Sequence, residues 1–175
     1  MYRYIALLRG INVSGQKKIL MADLRALCES LGFLNVRTYI QSGNVIFDSE
    51  KEVSSEIISE AIEKKYAWHV PVLLTTAGEI QAILDGCPFP KEKKEKSYFM
   101  ILFKPPSTEN IEITLSYNFS NEEFEITPRC VYYYCSTGYG RAKMSGNFFE
   151  RKLQVIVTAR NYRTMVKLLD IANST

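Results

Sequence analysis

The stretch between positions 4 and 48 constrains the fold more than any other part of the chain. It opens on the apolar run YIALL and passes Arg9 into a Gly/Ser/Lys segment. A helix patterned on Met21, Leu24, Leu27, Cys28 and Leu31 follows, and VRTYIQSGNVIFD closes it. The near-continuous apolar residues 2–8 suit a strand covered on both faces. The helix should start near Ile19 or Leu20 and stop at Gly32, which tolerates the left-handed conformation of a helix end. Residues 36–41 and 44–48 read as strands joined at Ser42-Gly43, a connection so short that they must be antiparallel. A second helix bearing Val53, Ile57, Ile58, Ala61 and Ile62, then a strand at 71–75, completes β-α-β-β-α-β. That is the split βαβ order of a ferredoxin-like sandwich.

With 175 residues, 46% of them hydrophobic, the chain can bury one substantial core or two small ones. Lys and Arg number 22 against 19 Asp and Glu, a formal charge of +3. Bulk electrostatics of that size does not make a nucleic-acid binder, so any preference for anions must come from local clustering. The apolar run near the N-terminus is too short for a signal sequence or a membrane span, and four cysteines without a leader point to a cytoplasmic protein with reduced thiols. Cys130 and Cys135 do not make a C-x-x-C pair and Cys28 and Cys87 lie far off, so the sequence implies no metal and no cofactor.

Thr76 and Glu79 have the spacing of a capping box, placing Ile80, Ile83 and Leu84 on a short third helix that Cys87-Pro88-Phe89-Pro90 ends. The mixed charges of residues 91–96 read as a solvated linker between an α+β half at 1–90 and a second at 97–175. The second half repeats the order loosely, as β-α-β-β-α with an extra C-terminal helix. Its strands fall at 98–103, 123–126 and 131–135, with helices near 144–153 and 161–172, the last capped by Asn161. Residues 108–115 are assigned to helix, although Ile111, Ile113, Leu115, Tyr117 and Phe119 alternate with the period of a strand and leave that alternative open.

Gly10-Ile11-Asn12-Val13-Ser14-Gly15 invites a phosphate-loop reading, but Gln16 stands where lysine should follow the second glycine, Lys17 comes one place late, and no Ser or Thr follows to hold magnesium. An ordinary strand-to-helix turn with exposed lysines fits better. Charge is segregated further on: Arg141, Lys143, Arg151, Lys152, Arg160, Arg163 and Lys167 face a single acid, Glu150, whereas residues 109–125 carry glutamates and no base. Such a patch can hold phosphate or carboxylate, or pair internally. Arg9, ending a buried-type run, must find a carboxylate or open onto a cleft. His69 is the sole histidine and lacks a nucleophile motif around it. Tyr132-Tyr133-Tyr134 and Tyr139 could stack bases, but strand and core explain them more simply.

YIALLRGINV, the helix ending in LGF, VRTYIQSGNVIF, PFP, GRAK and TARNYRT together resemble the domain-of-unknown-function 1697 family, over nearly the whole chain. The resemblance implies a cytosolic bacterial-type protein of two α+β halves, the first ferredoxin-like, and it implies no known reaction. The family's polar positions that match here are Arg9, Asn12, Arg37, Gln41, Ser42, Asn44, Arg141, Lys143, Arg160 and Asn161. Where the family often has Thr-Thr-Arg-Asn-Trp, this chain has Ala159 and Tyr162 in place of the second threonine and the tryptophan. These positions, with Lys17, form the expected ligand-binding set. They would face an anionic small molecule or single-stranded nucleic acid in a basic groove between the halves. A small-molecule enzyme would use the same groove, whereas a protein-interaction module would present an exposed apolar patch instead, and no membrane role is expected.

Overall fold

The computed structural model describes residues 1–174. In chain order its elements are β1 (Tyr2–Leu8), α1 (Met21–Ser30), β2 (Leu34–Tyr39), β3 (Asn44–Ser49), α2 (Ser55–Tyr66), β4 (Val72–Thr75) and α3 (Ala77–Asp85). The single turn α4 (Lys91–Lys94) follows, then β5 (Tyr98–Leu102), α5 (Thr108–Leu115), β6 (Glu122–Ile126), β7 (Cys130–Cys135), a 3-10 turn at Tyr139–Arg141, α6 (Gly146–Leu153), β8 (Val157–Asn161) and α7 (Tyr162–Asn173). The chain forms two compact units, Met1–Gln81 together with the segment from Lys167 onward, and Ala82–Val166.

Each unit holds one four-stranded antiparallel sheet, ordered β2-β3-β1-β4 in the first and β6-β7-β5-β8 in the second. The orders are the same, and the correspondence extends to single residues. Leu8 faces Val72 across the first sheet and Leu102 faces Val157 across the second; Ile5 faces Thr75 and Phe99 faces Arg160. The next residue along is Thr76 in one unit and Asn161 in the other, and both cap the helix that follows. Thr76 Oγ1 accepts from Glu79 N at 3.3 Å and Asn161 Oδ1 from Thr164 N at 2.9 Å. Thr76 N in turn donates to Glu79 Oε2 at 3.1 Å, completing the expected capping box.

The α+β architecture in two halves is as the sequence indicates, with three differences in detail. Val157–Asn161 is a strand, so the second unit has the full β-α-β-β-α-β order and a following helix, not a shortened one. Residues 91–96, expected as a linker, carry α4: Lys93 N and Lys94 N bond to Pro90 O at 2.9 Å, and Lys93 Nζ reaches Glu123 at 2.6 Å. The division between units falls instead within α3, after Gln81. Over 108–115 the helix prevails. Ser107 Oγ caps Asn110 N at 3.2 Å, and the alternation misleads because Ile113 and Leu115 are left exposed.

The first core gathers Leu8, Ile11, Leu24, Cys28, Phe47, Ile58 and Ile62; the second gathers Met100, Val131, Tyr133, Met144, Phe149 and Leu153. In the first unit the end of α7 is clamped to the sheet. Arg3 Nε and Nη2 hold Asp48 at 2.7 and 3.0 Å while its Nη1 bonds the carbonyls of Ala172 and Ser174 at 2.9 and 3.0 Å. Asn35 Nδ2 adds a bond to Asp48 at 2.8 Å. The hydrogen bond from Arg3 lowers the Asp48 pKa, and this outweighs the opposing effect of burial. A depressed carboxylate contributes stability that is complete above its ordinary value of 3.8 and is lost as pH falls through the folded value. Asp48→Asn should therefore cost about 1–2 kcal/mol at neutral pH and flatten the acid limb of stability against pH, as measured by urea unfolding between neutrality and pH ~3.

Candidate functional site

β1 ends where Leu8 N donates to Gly43 O at 2.8 Å and Arg9 N to Pro71 O at 2.9 Å. The segment beyond folds into a miniature hairpin: Asn12 N bonds Lys17 O at 3.2 Å and Gln16 N bonds Val13 O at 2.9 Å. Its two central residues, Ser14 (φ 49°) and Gly15 (φ 74°), are both left-handed, as a type I′ turn requires. This shape disposes of the phosphate-loop reading, because the segment is bonded to itself and α1 begins only at Met21.

The carboxamide of Asn12 locks this hairpin to its neighbours. Its Nδ2 donates to Ile19 O and Gln41 O, and its Oδ1 accepts from Ile19 N, each at 2.9 Å. Asn44, fully buried, donates from Nδ2 to Tyr39 O and Ser42 Oγ, both at 2.9 Å, and so shapes the turn that joins β2 to β3. Of the seven non-glycine residues with positive φ among the described residues, four (Asn12, Ser14, Lys17 and Ile40) lie in these two loops. Each such residue costs on the order of 1 kcal/mol, so this end is held in shape against local preference. Outside it stand Lys18, and three large apolar side chains, Val13, Leu20 and Ile40, exposed by 59, 59 and 47%. Lys17 Nζ bonds His69 O at 2.6 Å.

Arg9, Asn12, Lys17, Gln41, Ser42 and Asn44 are thus gathered at one end of the first unit, although Asn12, Ser42 and Asn44 serve the loop architecture itself. Arg37 is turned elsewhere, with Nη1 on Ser174 Oγ at 2.9 Å. In the second unit Arg141 and Lys143 are exposed, Lys143 Nζ lying 5.0 Å from the centroid of the Phe119 ring. Asn161 is exposed but occupied as a cap. Arg160 is buried, its Nη1 on Thr158 Oγ1 at 2.8 Å and Ala159 O at 2.9 Å, and burial pushes its pKa down to about 10, so it remains charged at neutral pH.

Glu122 is the residue that sequence reasoning missed. Buried, it accepts from Lys143 N at 2.7 Å on Oε1, and from Met144 N at 2.9 Å and Tyr133 Oη at 2.7 Å on Oε2. Burial works to raise its pKa, but the amide and phenol donors prevail and hold it below the ordinary value. Burial, then the Glu122 carboxylate, push the Tyr133 hydroxyl up. The network orders the segment that presents Arg141 and Lys143. A signal was present: in EEFEI, Glu122 shares the period-two face of Phe124 and Ile126.

His69 Nδ1 lies 3.4 Å from both Ser59 Oγ and Glu63 Oε2. A serine-histidine-acid relay needs the acid and the nucleophile on opposite ring nitrogens. Here both meet the same one, and Ser59 Oγ donates to Val70 O at 2.7 Å. This trio fastens α2 to the approach to β4. Among the described residues, no group of three or more His, Cys, Asp or Glu could hold a metal ion, and no helix is long and apolar enough to cross a membrane.

Fold and site together define a protein of two α+β units with one topology, the first carrying a rigid, lysine-bearing loop end. The chain belongs to the family described as Protein of unknown function (DUF1697), whose model matches residues 1–132 and so stops short of Arg141, Lys143, Arg160 and Asn161. Its fold is similar to that of the conserved bacterial protein SP0830 from Streptococcus pneumoniae, with a TM-score of 0.65 and 22% identity over 98% of each chain. A comparison with curated proteins gives no match.

A methyl group on Gly43 would lie 2.7 Å from Leu8 Cβ and 2.8 Å from Ile11 Cδ1, at a φ of +79°. Gly43→Ala should cost about 2–4 kcal/mol. Gly15→Ala, left-handed but in open space, should cost about 1 kcal/mol. Asn12→Ala should cost about 1–3 kcal/mol through the backbone groups it leaves behind. Denaturant unfolding of the three variants checks this order.

Proposed function

We propose that this protein binds an anionic, phosphate-bearing ligand at the loop end of its first unit. Lys17 and Lys18 supply the charge and the Asn12-locked hairpin supplies the rigid platform. The observation that carries the reading is the concentration of left-handed residues there: a loop held in costly conformations and presented to solvent is preorganised for contact, and preorganisation lowers the entropic cost of binding. Asn12, Ser42 and Asn44 act by positioning, and the contact groups are the lysines with Gln41. We also infer that the first unit is a ferredoxin-like sandwich, on the strength of its β2-β3-β1-β4 order. The cytoplasm is its inferred location, since all four cysteines are free and three of them buried.

A second reading, a docking surface for another protein, is favoured by the exposed Val13, Leu20 and Ile40. The two differ in their response to salt. Binding of a labelled single-stranded oligonucleotide through two lysine-phosphate contacts should weaken with a log-log slope of about −1.4. Lys17→Glu combined with Lys18→Glu should reduce affinity at least tenfold, about 1.4 kcal/mol, while the uncharged Val13→Ser, which removes apolar surface alone, should change it little. Nucleotides should raise the melting temperature of the unaltered protein in the same buffer. Absence of both oligonucleotide binding at low salt and any nucleotide-dependent thermal shift would refute the proposal.

A further inference from the structure

The matching registers of the two sheets allow one corner to be compared in both units. Leu8 corresponds to Leu102 and Val72 to Val157, so Arg9 corresponds to Phe103 and Pro71 to Ile156. The backbone repeats the correspondence: Arg9 N bonds Pro71 O at 2.9 Å, and Phe103 N bonds Ile156 O at 3.0 Å. The helix leading to this corner ends on a left-handed residue in each case, Ala67 (φ 60°) after α2 and Gln154 (φ 55°) after α6. What differs is the connection leaving the central strand. In the first unit it spans residues 9–20 and folds into the hairpin, whose Lys17 Nζ closes over His69 O at 2.6 Å. In the second it is residues 103–107, a short passage through Pro105 and Pro106 that offers no such cover.

The corner left uncovered is an open concavity of about 610 Å³, within the range of small-molecule sites. Its floor is apolar, formed by Phe103, Val155 and Ile156, and Ile156 remains 39% exposed there. Its rim carries two exposed cations, Lys104 and Arg151, beside one acid, Glu150. Glu150 Oε1 accepts from Val157 N at 3.4 Å, and Arg151 Nε donates to Asn147 O at 3.4 Å. An apolar floor under two cations matches a molecule with a compact hydrocarbon body and one anionic head. The geometry points to a second ligand site in this corner, taking a small amphipathic carboxylate, with the hydrocarbon on Phe103 and Ile156 and the carboxylate between Lys104 and Arg151. It is independent of the hairpin end of the first unit.

Octanoate tests it, with octylamine, octanol and acetate as controls, read by amide and methyl chemical shifts and by calorimetry on the full chain. Octanoate should bind with saturating shifts centred on Phe103, Lys104, Val155 and Ile156, and acetate alone should bind at least tenfold more weakly. Octylamine and octanol should each bind at least fivefold more weakly than octanoate. Lys104→Glu with Arg151→Glu should weaken octanoate at least tenfold, and the single Lys104→Ala, at an exposed position, provides the same test should the double variant fold poorly. Lys17→Glu with Lys18→Glu should leave octanoate binding unchanged, which separates failure here from failure of the phosphate proposal. Shifts absent from this corner, equal binding of octylamine, or full affinity after loss of both cations would overturn the assignment.

Discussion

Both units depend on a central strand hydrogen-bonded along both edges. β1 lies between β3 and β4, and β5 between β7 and β8, so neither strand has a free edge and their inner residues reach essentially no solvent. That pairing explains why residues 5–8 and 99–102 are apolar without alternation, since each residue must satisfy packing on whichever side it faces. It also fixes the exit point of the chain: after Leu8 or Leu102 the backbone is committed to a single place and direction. Everything functional in this account begins there.

What leaves that point differs between the units, and the difference is one of connection length. The longer connection can close on itself through a tight turn at Ser14-Gly15 and be stapled down by one carboxamide, at the cost of several left-handed residues. The shorter one passes directly into α5. One topology thus gives a built-up, cationic end in the first unit and a recessed, partly apolar corner in the second. The strand pairings tolerate both, because the registers that hold Leu8 against Val72 and Leu102 against Val157 involve no residue of either connection.

Features with strong local physics were legible in the sequence. The doubly covered strand, the antiparallel pairing of β2 with β3, the Thr76–Glu79 capping box and the Asn161 cap each follow from a few adjacent residues, although β2 stops at Tyr39 and residues 40–43, not Ser42-Gly43 alone, make the turn. Features decided by tertiary context were not. Val157–Asn161 reads poorly as a strand because Ala159, Arg160 and Asn161 carry little β preference, and only pairing with β5 makes it one. Lys91–Lys94 looked like linker because a single turn capped by Pro90 has no apolar stripe. Several of the candidate site residues stand at one loop end, but the sequence offers no way to separate a side chain that faces solvent from one that ties down its own backbone. Asn12 and Asn44 do the latter, and Arg160 is buried.

The central claim is that the hairpin end of the first unit is a ready-formed surface for an anion. Backbone amide chemical shifts during titration with a nucleoside triphosphate at low salt test it most directly, because they report place as well as affinity. The account predicts saturable shifts concentrated at residues 12–18 and 40–42, with the hydrogen-bonded interior of β1 unmoved. Shifts scattered over the surface without saturation, or centred away from that loop end, would contradict it.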